Sequence, residues 1–466
     1  MIIDSIYSDE RCIKPNDLIY LDDAYVDIGA KGSLQRVPWK DMSYTFLAGN
    51  SFACANVTGI ISQFAMPLSL IKVRQKLKQR SILPPLMQHK RSVQNTTLPH
   101  MPTNAVIFPF NKEMHSLIRF EELLRINIID VYDVKFSGNV GRYPYQVLNM
   151  PFKSQNRIKD IQNLDWDSFD TIIIGHCYEL SYLLQGRFNW YELISNLQKK
   201  HKFIYSFEDI SDTIEIENRH RYFTPKITKE DVYHIPYGKL FRHMTPTVCV
   251  CGTGPKQGKF SLQLQLRKLF LQDQYKVGQI GTEPTAYLFG MDECFHYGFH
   301  HSNSISRHET IEYINHKTNE ISQSGVDIII GGTQSGMITS YEGNLNTYPL
   351  GQYEFILGLQ PDLVILCVNA DDGLNCIKRT INFIEGGVDC HVIGLVIFPL
   401  VNFDGTSGYY GKKRELSEDE FSNLCCKFYE LFRLPVYRLG EPDDMNKMYL
   451  QIINCLSSGG TAINEK

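Results

Sequence analysis

Residues 247–261 read TVCVCGTGPKQGKFS: an apolar run, a glycine-framed turn, then Lys259 opening a helical stretch. Those residue types in that order suit an anion. Backbone N–H groups exposed by Gly252, Gly254 and Gly258 can converge on phosphate oxygens, and the following helix N-terminus adds its dipole. Lys259 brings a full positive charge to where the outer phosphates of a nucleotide would lie, with Thr253 and Lys256 as further contacts. Two departures from the common phosphate-loop pattern stand out. Five residues separate Gly252 from Gly258 where four are usual, and Phe260 stands where a Ser or Thr ordinarily ligates Mg2+. Ser261, one step on, can still reach a phosphate. The competing explanation is a tight strand-to-helix turn with an exposed lysine; the order of strand, loop and helix favours the phosphate site.

Parallel sheets bind ligands at the carboxyl ends of their strands, so the segments that follow the other apolar runs come next. Gly281-Thr282-Glu283-Pro284-Thr285 offers a carboxylate, Glu283, able to hold Mg2+ or orient an amine, and two hydroxyls, Thr282 and Thr285, for a phosphate. A turn with a surface acid explains the same residues. Gly331-Gly332-Thr333-Gln334-Ser335-Gly336 allows close backbone approach, with Gln334 and Ser335 as hydrogen-bonding groups. Asp327 opens that strand and so lies at the wrong end. Asn369 is placed to read a nucleotide base, while Asp371 suits the cap of a helix beginning near Gly373. The run that includes Cys294, His296, His300, His301 and His308 holds zinc-type ligands, yet matches no fixed zinc spacing. Satisfied loop histidines are the favoured explanation, with His296 or His300 available as a general base on a substrate amine should the loop fold over the phosphate site.

The elements that must position these residues alternate. Strands are expected at 247–251, 276–280, 327–331, 363–368, 391–398 and 435–438, with helices at 259–272, 304–323, 373–385, 418–432 and 444–456. Apolar strands alternating with amphipathic helices predict a doubly wound parallel sheet over 245–458. A second α/β unit, over 101–240, has strands at 104–108, 128–134, 171–175 and 203–206 and helices at 112–125 and 190–200. Its rhythm is Rossmann-like, but FPFNKEMH stands where a dinucleotide fingerprint would be, so no dinucleotide is expected. Residues 219–245 read as the connection. Residues 1–100 form a small N-terminal extension with a β element over 10–39, a basic helix over 68–80 and a linker over 91–102.

Size and composition set limits. A chain of 466 residues exceeds a single core, and its apolar and charged fractions, 43% and 21%, are those of an ordinary globular protein. A net charge of -4 gives no reason to expect nucleic acid or an anionic membrane as main partner. No apolar run is long enough to span a bilayer, and MIIDSIYSDERC does not read as a secretory signal. Twelve cysteines, several in predicted core strands, suggest reduced thiols and the cytoplasm.

From about residue 104 to 456 the chain resembles the peptide-maturation-system proteins encoded in clostridial natural-product cassettes. The segments that carry the resemblance are NAVIFPFNKEMHSLIRFEELL, GTGPKQGKFSLQLQLRKLFL, YKVGQIGTEPTAYLFGMDE, DIIIGGTQSGMI, LGQYEFILGLQPDLVILCVNADD and DCHVIGLVIFPL. Those proteins are similar to a broader bacterial family that joins a Rossmann-like domain to a dethiobiotin synthetase-like P-loop domain and includes enzymes that N-acetylate D-glutamate. The five-residue loop spacing matches the dethiobiotin synthetase-like pattern; Gly331, where that pattern ends a strand with a metal-holding glutamate, does not. The resemblance implies cytoplasmic work on a ribosomally made precursor peptide beside peptide-modifying enzymes, and a homo-oligomer is compatible with it. Three functions follow. One is an ATP- and Mg2+-dependent, ligase-like activation of a carboxylate or amine. A second is N-acyl transfer from acetyl-CoA or another acyl-CoA, with the loop holding the CoA phosphates. The third is a non-catalytic nucleotide-dependent scaffold for the peptide.

Overall fold

The computed structural model describes residues 103–457, apart from 154, 178–187, 234–237, 297–302, 340–342, 344–346 and 403–412, together with six short strands before residue 103. It divides into two compact units, residues 1–95 with 234–240 and residues 96–233 with 241–466. In the first unit Ile3–Ile6, Ile28–Lys31, Leu18–Tyr20 and Ser81–Ile82 pair in that order, and Gln35–Pro38 pairs with Tyr44–Leu47. The helix expected at 68–80 and the linker expected at 91–102 lie outside the described residues.

The second unit holds two parallel sheets. In the first, β1 (Asn104–Phe108), β2 (Asn127–Asp133), β3 (Lys159–Asp160), β4 (Thr171–Ile174), β5 (Phe203–Ser206) and β6 (Tyr222–Phe223) pair in the order β6-β5-β4-β1-β2-β3. Strand β1 shows why NAVIF had to be a central strand. Ala105 and Ile107 enter the core on one face, Val106 and Phe108 the core on the other, as the two-residue period of a strand requires. Helix α2 (Trp190–Lys199) covers one face through Leu193, Ile194 and Leu197. The single helix expected at 112–125 is instead α1 (His115–Arg119) between two short 3-10 turns, because the chain breaks at Phe120 (φ −122°, ψ 39°) and buries that ring in the core. Tyr222–Phe223, expected within a connection, adds an edge strand by pairing with Ile204 and Tyr205.

The second sheet is built from β7 (Thr247–Gly252), β8 (Val277–Gly281), β9 (Glu293–Cys294), β10 (Ile328–Gly332), β11 (Leu363–Asn369), β12 (His391–Phe398) and β13 (Val436–Arg438), ordered β9-β8-β10-β7-β11-β12-β13. Every pairing is parallel. Its helices are α3 (Lys259–Gln272), α4 (Arg307–Gln323), α5 (Leu350–Leu359), α6 (Leu374–Gly387), α7 (Glu418–Phe432) and α8 (Pro442–Ser457). Helix α5 was not among the expected elements. LGQYEFILGL is largely buried and packs closely on α4, where a Cβ at Gly358 would stand 2.7 Å from Ile314 and 2.8 Å from the Ile311 carbonyl. A helix enclosed on most sides leaves no apolar stripe to read.

The two sheets share a core. Ala105, Ile107, Phe110 and Met114 from the first pack in one cluster with Leu264, Ala286, Leu288, Phe289 and Met291 from the second. Polar links reinforce it: Arg125 N–H donates to the Leu288 carbonyl at 3.0 Å, and the Tyr205 hydroxyl to the Pro284 carbonyl at 2.5 Å. The architecture is thus a Rossmann-like sheet followed by a P-loop-type doubly wound sheet, both with helices on their faces.

Candidate functional site

Strand β7 is central in its sheet, with β10 on one side and β11 on the other, so its carboxyl end opens at the point where connections diverge. Ligands of open parallel sheets bind there. The loop that follows is set by two left-handed residues, Lys256 (φ 61°) and Gly258 (φ 74°). Gly258 has a second reason to lack a side chain, since a Cβ would meet Leu439 at 2.3 Å. The segment after β10 crosses close over the loop. Met337 N–H donates to the Gly252 carbonyl at 3.1 Å, and a Cβ at Gly336 would fall 2.4 Å from the Thr253 carbonyl oxygen.

Lys259 turns back over the loop, and its Nζ donates to the Gly254 carbonyl at 2.6 Å. It is only 5% exposed, and among the described residues no carboxylate lies within ion-pairing distance. Burial pulls its pKa from 10.5 down to about 8, against the more distant pull of Cys367, Cys251 and Glu283. A buried ammonium without a counter-ion is costly unless an anion completes the site.

Two residues not singled out in the sequence organise the loop. Gln257, 1% exposed, accepts from Gly254 N–H through Oε1 at 3.0 Å, while its Nε2 donates to Thr253 Oγ1 at 2.6 Å and to Asp372 Oδ2 at 3.2 Å. Asp372 Oδ2 also accepts from the Thr253 hydroxyl and from Asn369 N–H, the latter at 2.8 Å. The expected capping role of Asp371 is not seen: Gly373 is the N-cap of α6 and provides no side-chain cap, and the neighbouring Asp372 turns inward to the loop instead. Asn369, expected to face a base, has its amide 3.4 Å from Asp372 Oδ1.

Phe260 has a different duty from the residue it replaces. Its ring packs into the core shared by the two sheets, with Phe289 at a centroid distance of 6.0 Å. Gly331 is likewise closed to a larger residue, because a Cβ would meet Leu359 at 2.5 Å. Ser261 is half-buried in the first turn of α3, and Lys256 is exposed. Thr282 is buried, and Ser335 Oγ donates to the Gly336 carbonyl at 3.3 Å.

The first sheet contributes from its own carboxyl ends. His176, two residues past β4, stands with Nδ1 3.0 Å from Glu208 Oε1, two residues past β5. The other Glu208 oxygen accepts from Cys177 N–H at 3.0 Å, so the carboxylate is held on both sides. Burial pulls His176 down, but the Glu208 hydrogen bond and charge, with Glu113 and Glu283 behind them, carry it above the ordinary imidazole value. The His176 ring lies 5.7 Å from that of His296, joining the two halves. Glu283 is half-buried; burial raises its carboxyl pKa, opposed by Lys112, a Gln334 hydrogen bond and His176. His176 and Glu208 were legible by the carboxyl-end rule, had it been applied to both sheets.

The histidine-rich run does not form a metal centre among the described residues, where no three His, Cys, Asp or Glu side chains converge on a metal position, Glu283 included. Cys294 Sγ faces the Glu283 carbonyl at 3.3 Å, His308 sits in α4, and His300 and His301 lie outside the described residues. Surface cavities of about 230 and 200 Å³ lie away from the loop, beside His201 and Arg221 and beside Asp130 and Asn156. The loop itself is filled by Gln257 and Lys259. Among the described residues no helix is long and apolar enough to cross a membrane.

Residues 234–383 match the family model described as a domain of unknown function (DUF1611_C) P-loop domain. A DUF1611 family protein from Anabaena variabilis is similar in structure, with a TM-score of 0.52 at 12% identity over 76% of this chain and 99% of that one. Partial likenesses include the Cyanothece protein McdA in complex with ATP (TM-score 0.32, 14% identity, 46% and 98% of the chains). Another is cobyrinic acid a,c-diamide synthase from Mycobacterium smegmatis with ADP and magnesium (TM-score 0.29, 11% identity, 46% and 97%). No curated protein matches the chain. Over residues 234–383, then, the chain carries a P-loop domain similar to that of the DUF1611 family.

Proposed function

We propose that this protein binds a nucleotide by its phosphates at residues 252–261 and uses it to activate a carboxylate or amine in a ligase-like reaction. The observation that carries the reading is Lys259: a buried ammonium at a helix N-terminus, among glycine amides, with no carboxylate among the described residues within ion-pairing distance. Nucleotide phosphates fit that deficit. A protein-held Mg2+ fits less well, since Phe260 belongs to the core and β10 ends in glycines, so Mg2+ arrives on the phosphates with Glu283 as the nearby acid. Bound ATP would supply a transferable phosphoryl group, and Lys259 would hold the charge that develops on it. His176, oriented by Glu208, would carry the proton of the attacking group, as a base positioned by a third residue does. The substrate class we assign is a precursor peptide or an amino-acid-like group on one, supported by the sequence segments that resemble peptide-maturation proteins.

A second reading, N-acyl transfer from acyl-CoA, draws support from Phe260 and Gly331, because CoA phosphates need no metal at those positions. Thermal-shift titration with ATP·Mg2+, with ATP plus chelator and with acetyl-CoA separates the two, since a ligand selective for the folded state raises its apparent stability. Stabilisation retained by Lys259→Ala would place the ligand elsewhere and sink both.

A further inference from the structure

We propose that Gln257 is an internal occupant of the phosphate cradle, locked in place by Asp372, and that a polyphosphate binds by exchanging places with its carboxamide. This rests on the phosphate-loop reading above and adds to it what sets the affinity. A glutamine in a glycine-rich turn would ordinarily extend into solvent. Gln257 is buried instead, with both ends of its carboxamide engaged.

The position it fills is the telling point. Above Gly252, the site where a Cβ would stand lies 2.6 Å from Gln257 Oε1 and 3.1 Å from Lys259 Nζ. An oxygen acceptor and the ammonium therefore both lie close to one point over Gly252, and the acceptor takes a loop amide, that of Gly254; a phosphate oxygen placed there would find the same amide and the same charge. The carboxamide is neutral, however, and leaves the charge of Lys259 uncompensated. Its orientation is fixed from the far side, where Asp372 accepts from both Nε2 and the Thr253 hydroxyl that Nε2 also contacts. Asp372 is itself pinned by Asn369 N–H. An incoming polyanion gains Lys259 and the Gly254 amide but must release these hydrogen bonds. Multiply charged phosphate chains can offset that loss; a single small anion gains less.

The test is calorimetric titration of the full chain with tripolyphosphate and with ATP·Mg2+, comparing the natural protein with Gln257→Ala, Gln257→Glu and Asp372→Asn. Removal of the occupant in Gln257→Ala should tighten both probes by about tenfold, the scale of one or two net hydrogen bonds. Asp372→Asn, which only loosens the lock, should move affinity the same way by less. Gln257→Glu should weaken both by about tenfold or more, because a carboxylate of the same shape neutralises Lys259 from within. Equal or weaker binding by Gln257→Ala, or undiminished binding by Gln257→Glu, overturns the exchange while leaving the phosphate loop standing. Failure of the natural protein and all three variants to take up either probe overturns the loop reading itself. Should Gln257→Ala not fold, the two near-isosteric variants decide the question alone.

Discussion

The two sheets of the larger unit share one architecture and treat their central strands in opposite ways. After β7 the chain makes a glycine loop whose backbone closes on itself, and its chemistry is that of main-chain amides and one lysine. After β1 it runs through Pro109, Phe110 and Asn111 with no glycine, and the chemistry is carried by side chains: His176 and Glu208 from the adjoining strands, Lys112 and Glu113 beside them. A parallel sheet supplies a place for a ligand at its switch point. Whether that place offers backbone amides with one lysine or a cluster of ionisable side chains is decided by the few residues after the strand.

The sharpest way to break this contrast is a methyl group on each side. Gly336→Ala puts a Cβ against the backbone of Thr253, which cannot swing away, so we expect a loss of about 2–3 kcal/mol in stability and of ligand-induced stabilisation. Gly175→Ala meets only the Asn111 side chain and the end of Met114, at 3.0–3.2 Å, and should cost under about 1 kcal/mol by denaturant titration. Equal costs would erase the distinction.

Next in size, Phe260→Ser would restore the hydroxyl of the common loop at the expense of the shared core. We expect about 2 kcal/mol of destabilisation and no gain in Mg2+ dependence. A stable variant with a new metal requirement would show that the core position of Phe260 is incidental.

The lysine then yields a pH dependence. Its pKa of about 8 in the folded chain lies below the 10.5 of the exposed group, so the folded state binds this proton less readily than the unfolded one. Stability should therefore rise with pH between those values, while affinity for a phosphate ligand should fall above pH 8, by at most about tenfold per unit. Affinity that is flat from pH 7 to 9.5 would remove Lys259 from the site.

The smallest effect concerns the side-chain half. His176 is raised in the folded state, so its contribution to stability is present below the ordinary imidazole value and lost as pH rises through the raised one. Glu208→Gln should bring the His176 titration, followed by NMR, back down and flatten that contribution. An unshifted titration would separate the pair.

Much of the scaffold was legible because its physics is local. Helix α7 opens with Ser417 accepting from Glu420 N–H while Glu420 bonds back to Ser417 N–H, and strand β12 is apolar throughout after its exposed first residue, His391; both match the spans expected. The loop and Lys259 were legible for the same reason. What escaped depended on long-range partners. Gln257 reads as a surface residue until Asp372, 115 positions later, turns in to hold it. Asp371 and Asp372 are chemically equal in sequence, and only the path of the turn after β11 selects one. Phe260 reads as a damaged metal site until the second sheet is placed against it.

Helix α3 starts with Lys259 in the phosphate loop, and Phe260 and, farther along, Leu264 pack into the core that the two sheets share. The ammonium and the packing between the sheets are thus carried on one short helical segment, so a substitution at Phe260 or Leu264 would disturb the placement of Lys259 together with the core.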